Sequence, residues 1–119
     1  MLALTYEEAG ILNKAEEYYR QAFSLEPNNQ DRLNALAYFL IDKDRNLIEG
    51  LELIDKALSL SPFDYLIIDT KGWGLYKQGK YSEALELIQK SWELKPVYDH
   101  ELYLHLEAAK KAFAGQKIN

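Results

Sequence analysis

The sequence has no cysteine, and it holds only three prolines and six glycines. Without cysteine there is neither a disulfide framework nor a thiolate metal site, which is compatible with a reducing compartment and favours the cytoplasm. No apolar stretch approaches the roughly 20 residues needed to cross a bilayer. The opening Met1-Leu2-Ala3-Leu4 run is too short for a secretory signal, and Glu7 and Glu8 interrupt it. A basic surplus is missing too. The net charge is −5, which argues against nucleic acid as a partner, because phosphate binding needs a basic face that releases counterions. No glycine-rich phosphate loop occurs, and no Ser or Thr has a histidine at motif spacing. His100 and His105 are five apart and do not share a helix face as an i, i+4 metal pair would. Glu101 and His105 do have that spacing, but two ligands do not make a zinc site. No catalytic residue, metal or cofactor is expected, and the two histidines read as surface or groove-edge residues.

What is present points to helices. The hydrophobic fraction of 48% and charged fraction of 28% suit one packed domain of 119 residues rather than a disordered chain. Long Ala, Leu, Glu and Lys-rich stretches run between the few prolines and glycines. Residues 1–63 carry the acidic excess, whereas residues 64–119 are balanced. A partner steered by charge would therefore be basic and approach the first half.

The prolines are themselves periodic. Pro27, Pro62 and Pro96 stand 35 and then 34 residues apart and close the phrases Leu25-Glu26-Pro27, Leu60-Ser61-Pro62 and Leu94-Lys95-Pro96. Five residues before each proline is a small residue: Ala22, Ala57 or Ser91. Eight before is a bulky one (Tyr19, Ile54, Ile88), and twelve before is again a small one (Ala15, Gly50, Ala84). These spacings place knobs and gaps on one helical face, as closely packed helices require. A second helix precedes each of these. Gly79 suits the left-handed cap that reverses the chain in the third copy, and Gly10 does so in the first. The second copy has Asp42-Lys43-Asp44-Arg45-Asn46 there, one residue longer, which accounts for the 35-residue spacing.

In this pattern the chain resembles the tetratricopeptide-repeat family, with its W-x2-L-G-x2-Y, A-x3-F and P signature over 34 residues. The third copy matches through Gly72, Ala84 and Pro96, with Ile88 for Phe, Leu75 for Tyr and Lys71 for Leu. The second matches through Leu36-Ala37, Leu40, Gly50, Ile54 and Pro62, and the first through Leu2-Ala3, Tyr6, Ala15, Tyr19 and Pro27. The expected architecture is all-α: a right-handed superhelical array of antiparallel hairpins, with repeats at about 1–29, 30–63 and 64–97 and a capping helix at about 98–113. The chain begins inside the first helix of its first repeat, about a turn short. That predicts an apolar end at Leu2, Leu4 and Tyr6, to be covered by preceding sequence of a longer protein or by another copy.

The resemblance implies a concave groove, lined by the first helix of each pair, that binds a protein or peptide without chemistry of its own. Self-assembly is the alternative. Carried across, the lining positions are Leu4, Glu7 and Glu8, then Asn34, Tyr38, Ile41 and Asp42, then Asp69, Trp73, Tyr76 and Lys77, and last Leu104, Ala108 and Lys111. Tyr38, Trp73 and Tyr76 would form an aromatic floor edged by carboxylates, or would simply pack against neighbouring first helices. Gly72 and Gly74 would permit close helix approach, with Gly74 leaving room beside the groove. Chaperone-binding relatives grip a C-terminal carboxylate with basic and amide side chains. Leu4, Ala35, Leu66 and Thr70 occupy those places here and cannot make that grip.

Overall fold

The computed structural model describes residues 2–118, with side chains as far as Gln116. It contains seven helices and no strand among the described residues: α1 (Leu2–Glu8), α2 (Leu12–Leu25), α3 (Gln30–Asp42), α4 (Leu47–Leu60), α5 (Tyr65–Lys77), α6 (Tyr81–Leu94) and α7 (His100–Ile118). Each helix packs on the next, α3 also packs on α5, and α5 on α7, so the odd-numbered helices from α3 onward lie side by side.

Short-range chemistry sets the helix ends. Asn29, Asn46 and Asp64 accept backbone N–H bonds at the starts of α3, α4 and α5. Asp99 Oδ1 does the same for Leu102 N, at 3.1 Å, at the start of α7. These side chains satisfy donors that a helix start leaves without partners, each contributing about 1 kcal/mol. The prolines follow the last residues of α2, α4 and α6, where the helix cannot continue.

The three hairpins turn by one device. Ile11 N bonds to Tyr6 O, Arg45 N to Leu40 O and Lys80 N to Leu75 O, at 2.8, 2.9 and 3.0 Å. This six-to-one closure needs a left-handed residue just before the donor. Gly10 (φ 78°), Asp44 (φ 55°) and Gly79 (φ 81°) supply it. Asp tolerates that conformation better than most side chains. The extra residue of the second turn is then Asn46, which the chain uses to cap α4.

The core runs as a seam between the layers. Ala15, Tyr19, Leu36, Phe39 and Leu40 join the first two hairpins; Leu33, Ala37, Ile54, Ala57 and Ile67 join the second and third. Leu75, Ala84, Ile88, Leu102, Leu106 and Ala109 close the far end. Each buried Leu or Ile contributes roughly 1.5–3 kcal/mol. Ser91, in the third copy's small-residue place, is fully buried and donates its hydroxyl to Tyr65 O at 2.6 Å. A Cβ on Gly72 would lie 2.7 Å from Ile88 Cγ1 and 3.3 Å from Ile88 N, so glycine lets α5 and α6 touch. A Cβ on Gly74 would lie 2.5 Å from Leu51 Cδ2. Its space is therefore filled by α4, not left open beside the groove as the sequence suggested.

At the N-terminal end, Leu2 and Leu4 are 57% and 47% exposed. Tyr6 is half-buried and stacks on Tyr18, centroids 5.5 Å apart, and both pack against the core of the first two hairpins. At the other end α7 begins at His100 and continues beyond residue 113 to Ile118, carrying Gly115 within it.

Candidate functional site

Helices α3, α5 and α7 bring most of the expected lining residues together, and they make two joined features. The first is a run of stacked rings. Trp73 lies between Tyr76 and His105, with centroids 4.5 and 4.0 Å away and planes inclined by 4° and 14°. Tyr38 of α3 is tilted by 43° to His105, centroids 5.9 Å apart. Trp73 Nε1 donates to Asp42 Oδ1 at 3.1 Å. Lys77 Nζ bonds to Asp44 at 3.1 Å and lies 5.8 Å above the indole. The aromatic floor thus doubles as the packing surface between first helices, and α7 covers part of it.

His105, expected at the surface or at the groove edge, is 5% exposed and lies among the rings between α3, α5 and α7. Its Nδ1 meets Asp69 Oδ2 at 2.9 Å and its Nε2 meets Tyr38 Oη at 3.2 Å. Tyr38 in turn donates to Glu101. Burial raises the Asp69 carboxyl above its ordinary range, His105 opposes this, and Glu101 and Asp99 add to it. Burial and the hydrogen bond to Glu101, with Asp42 behind them, push the Tyr38 phenol far above its usual value. The signal for His105 was in the chain: it belongs to the buried stripe Leu102, His105, Leu106, Ala109 at helical spacing.

The second feature is a cavity of about 190 Å³ next to the rings. Asn34, Ala35 and Tyr38 line it from α3, Leu66, Asp69 and Thr70 from α5, Asp99 and Glu101 from the start of α7, and Tyr19 from α2. Asn34 Oδ1 is buried and has no hydrogen-bond partner. No lysine or arginine is among the lining residues.

The remaining expected positions are distributed differently. Ile41 is fully buried and abuts Gly50, with Cγ1 2.7 Å from where a Cβ there would be. It is a core residue and not a groove residue, because the face of α3 it occupies is pressed against α4. Lys111 is exposed on α7 and lines none of the cavity. Leu104 is 51% exposed and Ala108 half-buried on the same helix. In α1, Glu7 accepts from Tyr19 Oη at 2.6 Å, while Leu4 and Glu8 are not part of the cavity wall. Ala35, Leu66 and Thr70, singled out as unable to grip a carboxylate, all face the cavity. Among the described residues no three His, Asp or Glu side chains are placed to hold a metal ion, and no helix is long and apolar enough to cross a membrane.

Stacked antiparallel hairpins with their first helices side by side define a helical-repeat protein. Comparison with known proteins gives the class. A Tetratricopeptide repeat profile matches residues 1–29. A TPR repeat-containing protein of Pseudomonas aeruginosa is 38% identical over 100 residues, which cover 84% of this chain and 17% of that protein. The chain thus spans about a sixth of that relative's length. The crystal structure of the Sgt2 TPR domain from Aspergillus fumigatus superposes with a TM-score of 0.81 at 19% identity, covering 98% of this chain and 78% of that one. The first TPR of Spaghetti (RPAP3), bound to the HSP90 peptide SRMEEVD, superposes at 0.75 and 18% identity, covering 94% of this chain and 87% of that one. The chain belongs to the tetratricopeptide-repeat family.

Proposed function

We propose that this chain is a protein-interaction scaffold that holds an extended segment of a partner along α3, α5 and α7 and catalyses nothing. The carrying observation is the cavity among those helices, bordered by half-buried rings and polar side chains whose hydrogen-bonding capacity is not used up. Rings give large contact area at low rotamer cost, and a pocket beside them fixes register. The solved relative with a peptide bound supports the reading, since its fold is the same. Its ligand is not this chain's ligand: an acidic tail would meet Asp69, Asp99 and Glu101 where a carboxylate grip needs cations.

Selection of a random twelve-residue peptide library displayed on phage tests the reading. Enriched peptides should bind the wild type and lose most of their affinity for Asn34→Ala combined with Leu66→Ala, a pair that changes the cavity wall and spares the ring stack. Equal binding to both proteins would overturn the groove assignment.

A second reading is favoured by one observation. Leu2, Ala3, Tyr18 and Leu25 line an apolar depression at the first hairpin, beside exposed Leu2 and Leu4. This surface would receive another repeat, from a second copy or from a longer chain. Sedimentation equilibrium decides: a dimer abolished by Leu2→Glu with Leu4→Glu supports it, and a monomer at high concentration rejects self-association.

A further inference from the structure

We infer that the cavity among α3, α5 and α7 is a subsite for a single arginine side chain of the bound segment. This deepens the reading above and rests on it. Size comes first: about 190 Å³ is several times the roughly 30 Å³ a water occupies in the liquid, which is room for one long side chain but not for a folded element.

Charge comes second. Asp69, Asp99 and Glu101 converge on the cavity, and the lining has no lysine or arginine to answer them. His105, from outside the lining, already engages both oxygens of Asp69 at 3.0 and 2.9 Å, whereas the partners of Asp99 and Glu101 are neutral groups that leave their charge in place. Tyr65 Oη donates to Asp99 at 3.3 Å, Leu102 N caps on it at 3.1 Å, and Tyr38 donates to Glu101. A carboxylate offers about four acceptor sites, so each keeps capacity for a further donor. Burial first, and then Glu101 at Tyr38 and Asp99 at Tyr65, shift these two phenols upward.

The third observation is the orphaned acceptor. Asn34 Oδ1 is buried in the wall with no hydrogen-bond partner. What the wall lacks is therefore a donor-only group. A guanidinium is such a group: it has five N–H donors in a plane and no acceptor, pairs with carboxylates through two parallel bonds, and stacks on rings. The half-buried Tyr38 brings an aromatic side chain to the same lining. The inferred partner is thus a segment that presents an arginine side chain to the cavity.

Nitrogen-15 correlation spectra of the whole chain, titrated with N-acetyl-arginine amide and with its neutral isostere N-acetyl-citrulline amide, test the inference. The arginine probe should move the amides of Asn34, Tyr38, Thr70 and Glu101 with millimolar affinity. The citrulline probe should bind about tenfold more weakly. Glu101→Gln, a change at an exposed position, should weaken the arginine probe by about fivefold or more while leaving the melting curve in place. Equal binding of the two probes, shifts located elsewhere, or indifference to Glu101→Gln would each overturn the subsite. The two readings fail separately. Library peptides that need Asn34 and Leu66 but show no arginine and ignore Glu101→Gln leave the groove standing and remove the subsite. The expected response to the arginine probe with no peptide selected leaves the subsite and removes the peptide reading.

Discussion

The imidazole of His105 lies flat on the indole of Trp73, 4.0 Å between centroids, while its Nδ1 meets the buried carboxylate of Asp69 at 2.9 Å. One side chain of the last helix thereby completes both the ring stack and the polar interior of the groove. Removing it leaves Asp69 buried and unpaired, which in comparable cases costs about 3–5 kcal/mol. His105→Ala is accordingly expected to lower urea-unfolding stability by about 3 kcal/mol, and to loosen α7 from α5.

Asp69→Asn should be far milder, within about 1 kcal/mol of wild type at pH 7, because the amide oxygen still accepts from Nδ1 and no charge is buried. The pH dependence has a defined sign. The folded carboxyl of Asp69 is raised above its unfolded value by burial, so the native state binds this proton more readily. Its contribution to stability is present below the unfolded pKa and is lost as pH rises through the folded one. The stability of the Asp69→Asn variant relative to wild type should therefore be greatest at neutral pH and diminish on acidification toward about pH 4. Urea titrations at several pH values measure it, and a difference that grows on acidification would refute the assignment.

Two glycines of the helices should respond oppositely to alanine. Gly115 lies within α7 with nothing within 4 Å of an added Cβ. Gly115→Ala should gain up to about 1 kcal/mol from helix propensity, less so close to a helix terminus. At Gly72 the same propensity gain is opposed by contact with Ile88 Cγ1 at 2.7 Å and with the backbone of Ile88 and Ala84 at 3.3 and 3.4 Å. Backbone cannot yield as a side-chain tip can, so α5 and α6 must separate. Gly72→Ala is expected to cost about 1–3 kcal/mol, seen as a lower melting temperature.

The same contrast explains what could be read without a structure. Proline spacing, the small–large–small rhythm and the turn glycines are local and periodic, so they revealed the hairpins, and even the extra residue that became the Asn46 cap. The site was legible where it repeated on the first helices, as with Asn34, Tyr38, Asp69 and Trp73. It was obscured where it depends on α7, whose packing across α5 no repeat encodes. His105, Asp99 and Glu101 reach the groove only because that helix packs there, and Ile41 was misassigned because one position along α3 separates groove from core.

A charged network outside the groove supplies the last prediction. Arg20 of α2 makes two parallel bonds to Glu49 of α4, both 2.8 Å, and its Nε reaches Glu16, which also accepts from Arg45 Nε at 2.9 Å. Two successive hairpins are thus tied through two carboxylates. The hydrogen bond from Arg20 holds Glu49 below its ordinary range against some burial. At Glu16 burial pulls upward but is outweighed by Arg20 and Arg45. The groups are partly exposed, so solvent and salt screen them, and exposed pairs contribute about 0.2–1 kcal/mol. The two-bond geometry places Glu49 at the upper end, so Glu49→Gln should cost about 1 kcal/mol at pH 7. Depressed carboxyls stabilise above the unfolded glutamate pKa, near about 4.3, and lose that contribution as pH falls through the lower folded value. Wild type and Glu49→Gln should therefore converge in urea-unfolding stability as the pH is lowered from about 5 to about 3. High salt should narrow the gap at neutral pH as well. A gap that persists undiminished at about pH 3 would show that Glu49 stabilises the hairpin junction by packing and not by its charge.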